Sequence, residues 1–197
     1  MDEITLPKRR SIRLLGYDYS QENAYYITVC VDGKRCCLAD VVDFQSVKTK
    51  YGIIVEEEIL VTEKLRLNVE IPEFVIMPNH IHMIIHIKDK KGSNIKNVLP
   101  GKLDYHMPEN NPAFCVPGSI GAIINQIKGK ATKRIREAGN MSFKWQKNYY
   151  EHVIRNEEDL LGIREYIQGN PAKWQEDEYN PVVKPEAGRA ARDPYEG

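Results

Sequence analysis

The stretch Phe74-Val75-Ile76-Met77-Pro78-Asn79-His80-Ile81-His82-Met83-Ile84-Ile85-His86-Ile87 constrains this chain more than any other. In its second half His80, His82, Ile84 and His86 fall on one face of an extended backbone, and Ile81, Met83, Ile85 and Ile87 on the other. A period of two, carried by β-branched residues, predicts a strand. His80 and His82 then sit one strand repeat apart, roughly 6.7 Å. Two imidazoles so placed can reach one divalent ion from a rigid backbone. His86 shares their face but lies about 20 Å further along, too far to join them. Met77-Pro78-Asn79 breaks the preceding apolar run and predicts a turn or strand bend. A His-x-His pair alone is also consistent with two structural histidines on a half-buried strand.

The neighbouring segments supply partners for such a strand. Tyr25-Tyr26-Ile27-Thr28-Val29-Cys30-Val31 reads as a strand ended by Asp32-Gly33. Residues 40–67 are mixed, with helix formers between Val47 and Leu65, although Gly52 blurs where that helix begins. Asn68 to Met77 predicts a second strand interrupted at Pro72, pairing antiparallel with the histidine strand. Residues 88–117 hold four prolines and two glycines without apolar periodicity, which predicts a long surface loop. Ser119 caps a predicted helix reaching Ala138, with Ile120, Ile123, Ile124, Ile127, Ala131 and Ile135 as its buried stripe and Gly139-Asn140 as its end. Asn156 with Glu157, Glu158 and Asp159 opens a last helix that ends at Gly169-Asn170-Pro171.

Composition fits a single domain with extensions: 197 residues, 42% hydrophobic and 28% charged. No stretch approaches the ~18 apolar residues of a membrane span, and the charged N-terminus lacks the apolar core of a signal peptide, so a cytoplasmic location with no membrane partner is expected. The four cysteines include no C-x-x-C pair, which argues against a zinc site or a disulfide framework. A net charge of zero hides a segregation. Residues 119–155 carry eight Lys/Arg against two Glu, and residues 156–197 carry ten Asp/Glu against five Lys/Arg. The basic middle suggests a polyanion footprint. Arg9 and Arg10 in the N-terminal arm, with Lys128, Lys133 and Arg155, are candidate phosphate contacts. Trp145 and Tyr149, interleaved with cations, suit the bases of single-stranded nucleic acid, though both also fit a core.

Five blocks in order are similar to the HUH single-tyrosine transposases, specifically the REP-associated tyrosine transposases. They are Met77-Pro78-Asn79-His80-Ile81-His82; Asn125-Gln126-Ile127-Lys128; Trp145-Gln146; Tyr149-Tyr150-Glu151-His152-Val153-Ile154-Arg155-Asn156-Glu157; and Tyr166-Ile167-Gln168-Gly169-Asn170-Pro171. The resemblance covers roughly residues 9–174 and departs in the long loop and the acidic tail. It implies an α+β fold: a ferredoxin-like antiparallel sheet with helices packed on one face. The domain would span 1–174, including the loop 88–118, followed by a polar, poorly ordered tail at 175–197. It also implies Mg²⁺ or Mn²⁺ bound by His80 and His82, Tyr166 as the nucleophile with Tyr150 as its rival, Asn170 as third metal ligand, and Gln126 in the DNA-binding helix.

The chemistry is consistent with that pattern. A phenol with a pKa near 10 is a weak nucleophile unless the phosphate it attacks is activated. Positions 166 and 170, being i and i+4, share one helix face. The expected function is metal-dependent cleavage and joining of single-stranded DNA at hairpins through a 5′-phosphotyrosine, as in DNA transposition, by a monomer or a homodimer. The alternative is a domesticated hairpin-binding protein that does not cut. A small-molecule metallohydrolase is disfavoured because the histidine block holds no Asp or Glu to act as general base.

Overall fold

Because the histidine strand is apolar on one face and polar but buried on the other, it needs cover on both sides, and the architecture supplies two layers. The computed structural model describes residues 18–88 and 116–182. Four strands form the main sheet: β1 (Asn23–Cys30), β4 (Val69–Ile76), β5 (His80–Ile87) and β6 (Tyr150–Ile154). Their spatial order is β4-β5-β1-β6, every neighbouring pair antiparallel. Helix α1 (Lys50–Leu65) links β1 to β4, and α2 (Ile120–Glu137) lies between β5 and β6. This is the split βαβ arrangement of a ferredoxin-like fold. A two-stranded hairpin, β2 (Ala39–Val42) and β3 (Gln45–Lys48), is inserted before α1.

The alternation sorts the core into two clusters. Tyr25, Ile27, Val29 of β1 and Ile81, Met83, Ile85, Ile87 of β5 pack with Val55 and Ile59 of α1 and with Ile120, Ile123, Ile124, Ile127, Ala131 and Ile135 of α2. All six residues of the expected α2 stripe are buried there. On the opposite face Tyr26, Ile84 and Ile154 pack with Ile163 and Ile167 of α3 (Glu157–Gly169). Helices α1 and α2 thus share one face of the sheet, and α3 lies on the other, the face of the histidines.

Local chemistry sets the boundaries. The Ser119 side chain accepts from the Ala122 N–H and the Asn156 side chain from the Asp159 N–H, both as N-caps. Gly139, at φ 106°, ends the α2 region with a backbone that other residues rarely adopt. Pro72 coincides with a register shift between Glu70 and Glu73, the interruption expected in that strand. The helix expected between Val47 and Leu65 begins later, at Lys50, because Val47 belongs to β3 and Thr49 is the cap, accepting from the Tyr51 and Gly52 N–H groups.

Gly52, which blurs the sequence signal, has a packing reason. A Cβ there would lie 2.1 Å from the Leu38 carbonyl oxygen, so α1 sits against that backbone only through a glycine. On α2, a Cβ at Gly129 would meet nothing within 4 Å. Helix propensity alone favours Ala at both sites by about 1 kcal/mol. The two substitutions should therefore part in sign: Gly52→Ala lowers stability by about 2 kcal/mol through overpacking, while Gly129→Ala raises it by about 0.5–1 kcal/mol. Urea unfolding of both variants tests this, and a stable Gly52→Ala protein would refute the close approach.

Candidate functional site

His80 and His82 leave the central strand β5 on the α3 side and are fully shielded from solvent, at 0% and 1% exposure. Their rings lie 4.5 Å apart between centroids. Backbone pairing sets Thr28 of β1 opposite His82. The His82 Nδ1 lies 2.7 Å from the Tyr26 hydroxyl and 2.9 Å from Thr28 Oγ1.

The tautomer of His80 follows from its neighbour. The Asn79 amide nitrogen donates to the carbonyls of Lys34 at 2.9 Å and Tyr179 at 2.7 Å, and carbonyls only accept. That orientation points Asn79 Oδ1 at His80 Nδ1, 2.9 Å away. An amide oxygen cannot donate, so Nδ1 carries the proton and Nε2 keeps its lone pair. Ligating histidines are commonly oriented in this way, the distal N–H held by an acceptor so that the other nitrogen is presented to the metal. Burial holds His82 down to about 3. It also holds His80 well below the ordinary histidine value, aided by His82 and opposed by a contact with Asn170. Both rings are neutral at pH 7, as metal ligation requires.

Helix α3 brings the late residues to the same place. Ile163 and Ile167 anchor it to the sheet, and the Tyr166 ring stands edge-on to His82 at 5.2 Å and to Tyr26 at 6.2 Å. Tyr150, the rival, packs edge-on against Tyr26 at 6.2 Å. Asn170, buried, closes the helix. Three buried polar atoms here have no hydrogen-bond partner in the protein: His80 Nε2, His82 Nε2 and Asn170 Oδ1. Two imidazole nitrogens and an amide oxygen fit a divalent cation, with Mn²⁺ matching this mixed set better than Mg²⁺. Among the described residues no three His, Cys, Asp or Glu side chains form a metal cluster by themselves.

The chain beyond Trp174 was expected to be poorly ordered, yet residues 175–182 fold back over His80. A short 3₁₀ segment (Pro171–Glu176) leads into a turn in which the Asn180 amide donates to the Trp174 carbonyl at 2.9 Å. Tyr179 lies 4.6 Å from His80 between ring centroids, and Trp174 lies 6.2 Å from it. Lys34 donates to the Glu178 carbonyl at 2.7 Å. The packed domain therefore extends past 174, and residues 183–197 lie outside the described part, as does most of the loop 88–118.

The candidate DNA contacts divide. Lys128 is buried and donates to the carbonyls of Gln146, at 2.6 Å, and Lys147, which commits its ammonium to holding down the segment before β6. Trp145 is core, edge-on to Phe143 and donating to the Lys128 carbonyl. Both side chains are thus turned inward and occupied by the fold, where the sequence offered them as nucleic-acid contacts. Gln126 accepts from Arg66 at 2.6 Å, and Lys133 is exposed beside Glu137; both ride on α2, across the sheet from the imidazoles. Tyr149 is half-buried against the α2-side core, while Arg155 is exposed at the β6–α3 junction. Nearby, His152 pairs with Asp159 at 2.9 Å, a structural tie. Arg9 and Arg10 lie outside the described residues. The orienting role of Asn79 was missed, although it stands between Pro78 and His80 in the motif itself.

No protein-family model matches the chain. It is 38% identical over 172 residues to an uncharacterized protein of Haemophilus influenzae, covering 86% of this chain and 92% of that one, and the two belong to one family. A second H. influenzae protein, which carries the provisional name REP-associated tyrosine transposase, is 25% identical over 100 residues, 50% of this chain and 47% of that one. In fold, the chain matches the structure of a REP-associated tyrosine transposase bound to a REP hairpin, with a TM-score of 0.53 and 21% identity over 80% of this chain and 71% of that one. No described helix is long and apolar enough to cross a membrane.

Burial of the two imidazoles links proton binding to folding. In the unfolded chain each takes up a proton near pH 6.5, whereas the folded protein resists protonation, so stability falls as pH drops below about 6.5. In chelator, each histidine should remove about 1.4 kcal/mol between pH 7.5 and 5.5. Urea melts across that range check this: His82→Asn should make the dependence shallower, and an unchanged slope would refute it.

Proposed function

We propose that this chain, which belongs with the REP-associated tyrosine transposases, is a metal-dependent single-stranded DNA endonuclease and strand transferase acting beside DNA hairpins through a 5′-phosphotyrosine. The observation that carries the reading is the meeting, within one chain, of the Tyr166 ring with His82 at 5.2 Å, beside three buried donor atoms that lack protein partners. His80, His82 and Asn170 would hold the cation, Mg²⁺ or Mn²⁺, through Nε2, Nε2 and Oδ1. When bound, it would supply polarisation of the scissile phosphate and offset its charge.

The remaining work belongs to side chains of the protein. Asn79 holds His80 with its lone pair inward, and Tyr26 with Thr28 holds His82. The Tyr166 oxygen forms a bond to phosphorus as the bond from phosphorus to the 3′ oxygen breaks. The phenol proton goes to solvent, and the departing oxygen takes one up as a 3′-OH. A later 3′-OH reverses these steps, frees the phenol and joins a new strand. One phosphodiester replaces another throughout, so no nucleotide cofactor is needed.

Arg155, exposed where β6 meets α3, lies at the end of the sheet away from the imidazoles, since Ile154 pairs with Ala24 and Ala24 with His86, and would serve phosphates distant from the scissile one. Lys133 and Gln126, on the far face, would serve the hairpin stem, with Tyr149, Arg9 and Arg10 as further contacts. One chain carries the whole constellation, so a monomer suffices, and a cytoplasmic setting gives it access to DNA.

A hairpin bearing a labelled single-stranded extension, incubated with Mn²⁺ and run on a denaturing gel, tests the proposal. The wild type should yield a covalent adduct that Tyr166→Phe reduces at least about 100-fold while hairpin affinity is kept; Tyr150→Phe should retain it. An adduct that persists in Tyr166→Phe would overturn the nucleophile. Hairpin binding without any adduct from the wild type would leave the non-cleaving DNA-binding reading.

A further inference from the structure

We infer that the Phe44 ring, at the tip of the β2–β3 hairpin, stacks on an unpaired base of the single strand that approaches the imidazoles. The inference rests on the proposed reading of the site and adds to it a contact from outside the five motif blocks. Phe44 is 74% exposed, and every other Phe, Trp or Tyr among the described residues is buried or half-buried. Trp145, which the sequence offered as an aromatic contact, lies in the core.

Two costs meet at this residue. Asp43 and Phe44 are the central pair of a two-residue turn between the paired Val42 and Gln45, and both have positive φ, 48° and 61°. Such turns favour Asn, Asp or Gly, and a bulky ring on a left-handed backbone is strained. The ring also stays in water, so burial does little to offset that strain. A residue that is unfavourable in backbone and in solvation, and that supports little packing, points to a ligand outside the chain.

The fold sets the tip beside the donor atoms. Ser46, two residues along the chain, donates from Oγ to the Ile76 carbonyl, and Ile76 pairs with Ile81, which stands between the two histidines. Strand β3 also touches the 3₁₀ segment that follows Asn170. Phe44 is thus held at the imidazole end of the sheet, about 7 Å of extended chain from the Ser46 anchor. A single strand threaded to the imidazoles from that end passes the tip, and each unpaired base presents a π-face to it.

Size and charge select the occupant. Val42 and Val47 are also exposed on the hairpin. Together with the ring they offer on the order of 300 Å² of apolar surface, against the roughly 800 Å² per partner of a stable protein interface. One base is enough to cover one ring. The exposed Asp43 beside it disfavours phosphate, so the tip takes the face of a base and not the backbone.

A hairpin with a short unpaired extension, compared in chelator with the same hairpin lacking it, tests this on the full chain without any strand being cut. Phe44→Gly installs the residue that suits the turn, so the melting temperature should hold or rise. Affinity for the extended hairpin should fall at least about fivefold, with that for the bare hairpin kept. Phe44→Trp keeps an aromatic ring and should bind as the wild type does, its added emission quenched by the extended hairpin and not by the bare one. Wild-type affinity of Phe44→Gly for the extended hairpin, or an equal loss for both hairpins, would overturn the inference. So would wild-type self-association in sedimentation that Phe44→Gly abolishes, since the ring would then serve a second copy. If the wild type binds neither hairpin, the DNA reading itself falls and takes the inference with it.

Discussion

The central strand β5 is covered on both faces, and most of the architecture answers that constraint. Seven of its eight residues are buried. Its odd-numbered residues meet the paired helices α1 and α2 over an aliphatic core. Its even-numbered residues begin with two imidazoles, and polar rings can be buried only where each polar atom is given a partner or a ligand. The layer on that side is accordingly built from aromatic and amide side chains on α3 and the turn beyond it, a site assembled on a strand that cannot move without breaking both cores.

Within that layer the decisive contact is small. Two backbone carbonyls, from Lys34 and Tyr179, settle which way the Asn79 amide faces, and that amide settles which nitrogen of His80 bears the proton. The Lys34 carbonyl belongs to the turn after β1, and the Tyr179 carbonyl to the end of the described chain. Segments nearly 150 residues apart thus converge on one imidazole. The electronic state of the site is written in backbone geometry, where no solvent competes.

Much of this was legible from residue order, and the failures are physical. Period two in β5, the stripe on α2 and the caps at Ser119 and Asn156 announced the sheet and two of its helices. The i, i+4 spacing of Tyr166 and Asn170 placed them together, and the structure brings both to the histidines. The β2–β3 hairpin escaped notice because its residues are short, exposed and mixed. The burial of Lys128 and Trp145 was not legible, because a cation and an indole look alike in sequence whether they face solvent or bond to buried carbonyls. The turn at 177–180 was invisible for the opposite reason: Asp-Glu-Tyr-Asn is tail-like composition, ordered here by contacts with residues over 90 positions away.

The polarity of β5 has a further consequence. His80 and His82 open the strand, while the connection to α2 departs from its other end, where the Lys88 N–H bonds to the Asn68 carbonyl. Eight residues of extended backbone, about 25 Å, separate that exit from the imidazoles. The point where the chain leaves the sheet is therefore set apart from the donor atoms by the whole length of β5, so the strand itself insulates the imidazoles from the covalent pull of whatever follows Lys88.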